Sequence, residues 1–401
     1  MRINNIVILI LCLCSVSWAV DSVPIHQTKI PHQVALRHPG IASNQPKEYT
    51  LFQIKNHQGL ITGYTMVIDS VVCEEDVCEV VDVTMLWDAI GAFEGYTLEK
   101  GLALEKVETS NKNQLSGEKE ESYKAAPFTD ADDKKLHKIL KDKHSLLKTW
   151  PLKSLAVLDD YDDDFDLVSR PTPPNFEEAV VTGAALTCFH IWHWANGDVP
   201  SKARNLTQQH GDKELLSAFL SSTKPTYVLF ALKELRERKV FTPEIVTQIN
   251  ERMRSGNEKK EFDLGYAYLK SAIPDAKSLH HNLAQLFTNG DHKSRVHLLE
   301  LLDSEEILPH FLIEKMALAL PEMKDYEEIH MYLNLLEKHS YSSPSILKMT
   351  SQVLKNNNFF IARRAYWYLD KQTLDKLTSS HIQSFREKNI ELGRDLQRLQ
   401  K

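Results

Sequence analysis

The chain has 401 residues, a formal net charge of −7, 42% hydrophobic and 26% charged residues, and only 14 glycines. This composition is too apolar for an intrinsically disordered chain and too poor in glycine for a collagen-like one. Its modest acidity argues against nucleic acid as the main partner, because phosphate binding requires clustered Lys and Arg, and its length allows two or three domains.

The first residues predict a secretory signal peptide over residues 1–19. Arg2 precedes an apolar run from Ile6 to Leu13, and small residues follow up to a cleavage position after Ala19. The run is too short to cross a bilayer, and no later stretch approaches ~18 uninterrupted apolar residues. We therefore expect an exported protein, periplasmic or extracellular, without a transmembrane segment. Lipid attachment at Cys14 is the alternative.

Residues 20–47 contain four prolines and little periodicity, which predicts an extended arm on the surface. Three histidines in this arm are spaced by six residues, and they are His26, His32 and His38. This spacing places them on no common face of a helix or strand. We interpret them as exposed side chains rather than as metal ligands.

The sequence pattern of residues 48–204 predicts an α+β domain. Three runs between residues 49 and 107 are rich in Val, Ile, Thr and aromatic residues and predict strands, whereas the polar segment 108–126 predicts a loop. Thr129 or Asp130 can cap a short helix. The apolar positions of that helix are Leu136, Ile139 and Leu140.

An apolar helix follows and ends at Asn196-Gly197, a helix stop signal. It carries Cys188, His190 and His193, whose helical spacing would suit a metal ion. The aromatic residues around them favour a packing helix instead. The acidic run 159–166 could bind Ca²⁺, but it lacks the Gly and Glu of an EF-hand and favours a solvated loop. We therefore predict no metal site, and no sequence motif predicts a catalytic residue.

Cys73 and Cys78 lie in VVCEEDVCEVV, where two apolar strand-like arms flank a short acidic turn. Antiparallel neighbours bring Cβ atoms within disulfide reach, and an oxidising compartment preserves the bond. We predict a Cys73–Cys78 disulfide, with two free thiols as the alternative. Cys188 is then interpreted as a small buried hydrophobic residue.

After residue 205 five leucines mark a repeat. These anchors are spaced by 34, 33, 34 and 33 residues, and they are Leu235, Leu269, Leu302, Leu336 and Leu369. Apolar residues stand three positions before each anchor, on the same helical face. A period near 34 with two helices per unit predicts an all-α solenoid over residues 205–401, and it resembles HEAT-like or TPR-like repeats.

Stacked helical hairpins expose a long surface, so we expect a protein partner on the helical repeats. Three stretches, residues 257–260, 292–295 and 363–364, place basic side chains within an otherwise acidic chain. Such positive patches would favour an acidic partner.

The segment DLVSRPTPP, residues 166–174, resembles a motif of the FMN-binding domain of exported and membrane-anchored flavoproteins. The motif of that family is Asp-x-x-Ser/Thr-Gly-Ala-Thr/Ser, and its last Thr or Ser is linked covalently to the FMN phosphate. Asp166, Ser169 and Thr172 match the Asp, the first Ser/Thr and the acceptor positions. The resemblance covers about residues 50–200. It implies a strand-rich fold, an FMN cofactor on Thr172 and a redox or electron-transfer role.

Arg170 and Pro171 stand where the family has Gly and Ala. Glycine allows positive φ and a close approach to phosphate, and proline lacks an N–H that could bind it. Arg170 could instead pair with the phosphate. Three interpretations stay open: FMN on Thr172, a relative that keeps the fold without the flavin, and a Pro-rich linker.

Overall fold

The computed structural model describes residues 27–39, 45–74, 77–98, 103–108, 121–126, 129–151, 176–181, 184–256 and 258–397. The predicted signal peptide and Cys14 lie outside these ranges. The chain divides into two compact units, residues 1–207 and 208–401. Among the described residues, no helix combines the length and the apolar character that crossing a membrane requires.

The first unit is built on an antiparallel sheet whose five strands follow one another in chain order. The strands are β1 (Thr28–Leu36), β2 (Lys47–Lys55), β3 (Ile61–Glu74), β4 (Val77–Asp88) and β5 (Phe93–Leu98). A separate two-stranded sheet pairs β6 (Ala103–Glu108) with β7 (Glu121–Ala126). Together with the helical second unit, this sheet confirms the predicted coarse layout of an α+β region followed by an all-α region.

Two strands were missed by the sequence analysis. β1 lies inside the predicted arm 20–47 and pairs with β2 along its whole length. It carries Pro31 and buries only Val34 and Leu36, which is typical of an edge strand with a weak alternating pattern. β7 lies in the segment 108–126, which was predicted to be a loop because its sequence is polar.

The described helices of the first unit are α1 (Asp130–Lys141), α2 (Phe176–Ala179), α3 (Ala185–Asn196) and α4 (Asp198–His210), with a 3₁₀ turn at Leu146–Lys148. α1 begins as predicted, because the Thr129 hydroxyl accepts the Asp132 N–H while the Asp132 carboxylate accepts the Thr129 N–H. The three predicted apolar positions of α1 are all buried. α3 ends at Asn196, also as predicted.

The core of the first unit lies between one face of the sheet and α3. Tyr64, Met66 and Ile68 of β3 alternate into this core and are at most 1% exposed. α3 packs against β3 and α1, and the Trp87 indole N–H donates to the Ala195 carbonyl at 3.0 Å. A large aromatic side chain of the sheet is therefore fixed to the last turn of α3 by both packing and a hydrogen bond.

The second unit is helical throughout its described part. Its helices are α5 (Lys213–Leu220), α6 (Pro225–Glu237), α7 (Pro243–Arg254), α8 (Lys259–Ala272), α9 (Ala276–Asn289), α10 (His292–Asp303), α11 (His310–Ala317), α12 (Tyr326–Lys338), α13 (Pro344–Val353), α14 (Phe359–Leu369) and α15 (Lys376–Glu391).

Alternate helices of this unit pack against each other. The even series α6, α8, α10, α12 and α14 forms one row of successive contacts, and the odd series from α5 to α15 forms another. All five anchor leucines lie in the even series, at or near the helix ends, and none is more than 1% exposed. Each anchor is thus a core residue, as its spacing predicted.

Two helix ends in the even row share a left-handed residue at the same distance from the anchor. Lys239 and Ser340 have φ of 56° and 54°, and each stands four residues after an anchor. The next residue in each case, Val240 or Tyr341, donates its N–H to the carbonyl of the anchor at 2.9 Å. This six-to-one hydrogen bond ends the helix in a Schellman arrangement.

The same turns connect one hairpin to the next. The Tyr268 hydroxyl donates to the Val240 carbonyl and the Tyr368 hydroxyl donates to the Tyr341 carbonyl, both at 2.6 Å. Both tyrosines directly precede an anchor. Burial raises the pKa of each to about 12, so both hydroxyls remain protonated donors over the physiological range.

Candidate functional site

The predicted flavin site lies outside the described residues. Asp166, Ser169, Arg170 and Thr172 fall within the segment 152–175, and so does the acidic run. The structure describes only the elements that flank this segment, which are α1 and the 3₁₀ turn before it and α2 and α3 after it. FMN on Thr172 therefore stays a prediction.

The two cysteines of the predicted disulfide face each other in the backbone register. Cys73 of β3 and Cys78 of β4 are Cα partners, and the strands end at Glu74 and begin at Val77. Opposite residues of antiparallel strands have Cα atoms ~4.5–5.5 Å apart, which lies within the range for disulfides. The register is compatible with the bond. The side chains lie outside the described part of the structure, so the disulfide stays a prediction.

The potential metal ligands of α3 have separate surroundings. Cys188 is buried, and its Sγ accepts the Val181 N–H at 3.3 Å. The His193 Nε2 lies 3.0 Å from the Leu147 carbonyl, which fixes that ring to the 3₁₀ turn. Among the described residues, these two do not belong to any group of three ligand atoms that lie within 4.8 Å of one another.

His190 is buried without a hydrogen bond. Only 9% of the residue is exposed, and neither ring nitrogen has a hydrogen-bond partner. The His38 ring lies edge-on at 6.1 Å between centroids. Burial, together with repulsion by the neighbouring His38 and His193, lowers the pKa of His190 to about 4. The imidazole is therefore neutral at pH 7.

His38 was predicted to be an exposed histidine of the N-terminal arm, and this was wrong. It follows β1 and lies against the Trp194 ring with centroids 5.5 Å apart. Burial lowers its pKa, with a further decrease from Lys47 and an opposing effect of Asp69. The six-residue spacing of the histidines does not predict this contact. The contact with Trp194 depends on the position of the end of β1 beside α3.

The three basic stretches are paired within the second unit. Lys259 of the first stretch forms an ion pair with Glu300, and Arg295 of the second contacts Glu328 at 3.4 Å. Arg364 of the third is 1% exposed and contacts Glu337 at 3.3 Å. These cations are largely neutralised by partners in neighbouring helices of the even row. One cation of each stretch is therefore paired with a carboxylate within the unit, and the acidic partner stays a prediction.

A cluster of one histidine and three carboxylates connects the beginnings of α10 and α12. The His292 Nδ1 lies 3.5 Å from an Asp325 oxygen and 3.8 Å from Glu328 Oε2, and its Nε2 lies 3.7 Å from a Glu327 oxygen. The other Glu328 oxygen accepts the N–H groups of Lys324 and Asp325 at 3.1 and 3.4 Å. The sequence analysis missed this cluster. It assigned His292 to a basic stretch, whereas the three carboxylates lie further along the chain at the beginning of α12.

A shallow cavity of about 410 Å³ lies on α9, in the middle of the odd row. Its lining follows the exposed side of the helix and consists of Ile273, Lys277, Ser278, His281, Asn282 and Gln285. The His281 ring stacks on Phe311 of α11 with centroids 4.7 Å apart. The surface combines polar side chains with one apolar residue and offers hydrogen-bond donors and acceptors to a partner.

No protein-family model, no curated protein and no solved structure matches this chain.

The burial of His190 predicts how the stability of the protein changes with pH. The pKa of His190 is lower in the folded protein than in the unfolded chain, so proton binding favours the unfolded state as the pH falls below about 6.5. The free energy of unfolding therefore decreases with falling pH, and this decrease is complete near pH 4. We expect His190→Phe to remove about 2 kcal/mol of the stability loss that wild type shows between pH 7.5 and pH 5 in urea unfolding.

His193→Phe is the comparison variant for this test. It removes the hydrogen bond to the Leu147 carbonyl and should lower the free energy of unfolding at both pH values. Burial also lowers the pKa of His193, but the Leu147 hydrogen bond opposes that shift, so this variant should reduce the pH dependence less than His190→Phe does. An unchanged pH dependence in His190→Phe would show that the buried imidazole is protonated in the folded state.

Proposed function

We propose that residues 208–401 form an α-solenoid and that the protein is an exported scaffold that binds a partner protein on this solenoid. The observation that carries the proposal is the packing of alternate helices, α6 to α14 in one row and α5 to α15 in the other. In repeat proteins this arrangement buries a continuous core and leaves one side of each row available for binding.

Two features of the second unit support this proposal. The 34-residue period coincides with the buried anchors, as expected when each hairpin contacts only its neighbours. Ion pairs such as Lys259–Glu300 and Lys338–Asp303 also connect successive helices of the even row. The odd row carries the cavity on α9, which makes that surface the first candidate for the contact with a partner.

The proposal predicts that charge reversal in the α9 cavity weakens partner binding. Lys277 is exposed in the first turn of α9, where Glu is compatible with the helix dipole, so Lys277→Glu should leave the fold intact. The immobilised full chain is exposed to envelope extract, and the retained protein is identified and titrated. We expect Lys277→Glu to weaken its binding at least tenfold.

Lys143→Glu provides the control, because Lys143 is exposed in the first unit and the change in net charge is the same. Equal binding by wild type and both variants would exclude the α9 surface. Retention of no protein beyond the amount bound by a blank matrix would contradict the scaffold proposal itself.

A second function, that of a flavin carrier, is favoured by the DLVSRPT motif. We infer that Thr172 accepts the FMN phosphate through its hydroxyl, with Ser169 and Asp166 shaping the turn and Arg170 pairing with the phosphate. Any electron transfer would then be the chemistry of the isoalloxazine ring, which the protein binds and orients. The antiparallel sheet and the Thr129-capped α1 before the motif, and the apolar α3 after it, support this inference.

Covalent flavin attachment predicts a yellow protein after co-expression with a flavin transferase. Intact mass spectrometry should show one FMN joined with loss of water. Thr172→Ala should abolish both signals, whereas Thr172→Ser should retain them because the acceptor hydroxyl is kept. A colourless wild-type protein of unmodified mass would contradict the flavin function and leave the scaffold proposal untouched.

A further inference from the structure

We propose that His292, Asp325 and Glu328 bind a divalent transition-metal ion that connects two successive hairpins of the second unit. One ligand atom from each residue lies within 4.8 Å of the other two. His292 begins α10, whereas Asp325 and Glu328 belong to the beginning of α12. A shared ion would therefore link neighbouring helices of the even row.

The spacing of the ligand atoms fits a tetrahedral ion. Zinc bonds of ~2.0–2.2 Å to nitrogen and oxygen place adjacent ligands of a tetrahedron about 3.4 Å apart. The His292 Nδ1 lies 3.5 Å from the Asp325 oxygen and 3.8 Å from Glu328 Oε2. The Asp325 and Glu328 oxygens lie within 4.8 Å of each other, so side-chain adjustments would have to bring these two oxygens closer on binding. The fourth position is available to water or to a group from a partner.

The His292 ring is oriented to bind a metal ion through Nδ1. Its Nδ1 is buried from solvent and makes no hydrogen bond, although it faces two carboxylate oxygens. The opposite nitrogen, Nε2, faces a Glu327 oxygen at 3.7 Å. Metal-bound histidines usually donate their second N–H to a carboxylate, which orients the ring and makes its lone pair more basic.

Glu328 is also oriented by its surroundings. Its side chain is 2% exposed, and its Oε1 is held by the backbone N–H groups of Lys324 and Asp325. Oε2 is left directed towards His292 and Arg295. The backbone contacts fix the carboxylate independently of any ion, so the site requires little reorganisation on binding.

The local charge favours a divalent cation. Three carboxylates, those of Asp325, Glu327 and Glu328, surround the neutral form of His292, and the Arg295 guanidinium opposes them at 3.4 Å from Glu328. Two negative charges are left for an ion to balance. The mixed set of imidazole nitrogen and carboxylate oxygen suits Zn²⁺ and related ions, whereas Ca²⁺ and Mg²⁺ prefer oxygen ligands alone.

The test is calorimetric titration of the full chain with zinc chloride at pH 7.5, combined with thermal unfolding. Wild type should bind one Zn²⁺, and His292→Gln and Asp325→Asn should each weaken this binding at least tenfold. Zn²⁺ should therefore raise the melting temperature of wild type more than that of either variant. Asp325→Asn keeps a residue that favours helix N-caps, so a failure to fold is not expected. His297→Gln, on the same helix beside the single carboxylate of Glu300 at 3.7 Å, is the control and should bind like wild type.

A wild-type protein that binds no Zn²⁺ at this site, or one whose Zn²⁺ binding is unaffected by both variants, would overturn the proposal. The cluster would then be a polar contact between the beginnings of α10 and α12 that holds no metal ion.

Discussion

The second unit depends on one constraint, which is that a helix can bury its apolar side only against neighbouring helices. Each anchor leucine is at most 1% exposed, and alternate helices of the unit pack against each other. Deleting one such side chain typically costs about 2–5 kcal/mol, which is a large part of the ~5–15 kcal/mol by which a domain is stable.

Polar contacts determine how the hairpins are aligned on that apolar core. Lys239 and Ser340 adopt the left-handed conformation at equivalent helix ends, and the carbonyl that follows each of them accepts a tyrosine hydroxyl from the next hairpin. The His292 cluster is also formed between successive helices of the even row, from charged groups. The functional proposals start from this arrangement, because contacts between helices of the same row bring together side chains that are distant in the sequence.

The sequence predicts those features that depend on local pattern or on regular spacing. Helix α1, its Thr129 cap and the anchors follow from such patterns. The pairing of basic residues with carboxylates does not follow from such patterns, because Lys259 and its partner Glu300 are 41 residues apart in the chain. Edge strand β1 and the contact of His38 with Trp194 were missed for a related reason, since both depend on sheet pairing rather than on periodicity. The site formed by His292 belongs to the same class, because its ligands stand on two repeats.

The central claim is that equivalent contacts hold successive hairpins together, and the free energy of unfolding of tyrosine variants tests it most directly. Tyr268→Phe and Tyr368→Phe each remove a hydroxyl that donates to a carbonyl of the preceding hairpin. Each should cost about 1–2 kcal/mol in urea unfolding of the full chain, because a buried or partly buried carbonyl loses its partner. Tyr266→Phe, whose hydroxyl contacts the partly exposed Glu305 carboxylate, should cost less. Equal and negligible costs for all three variants would contradict the account.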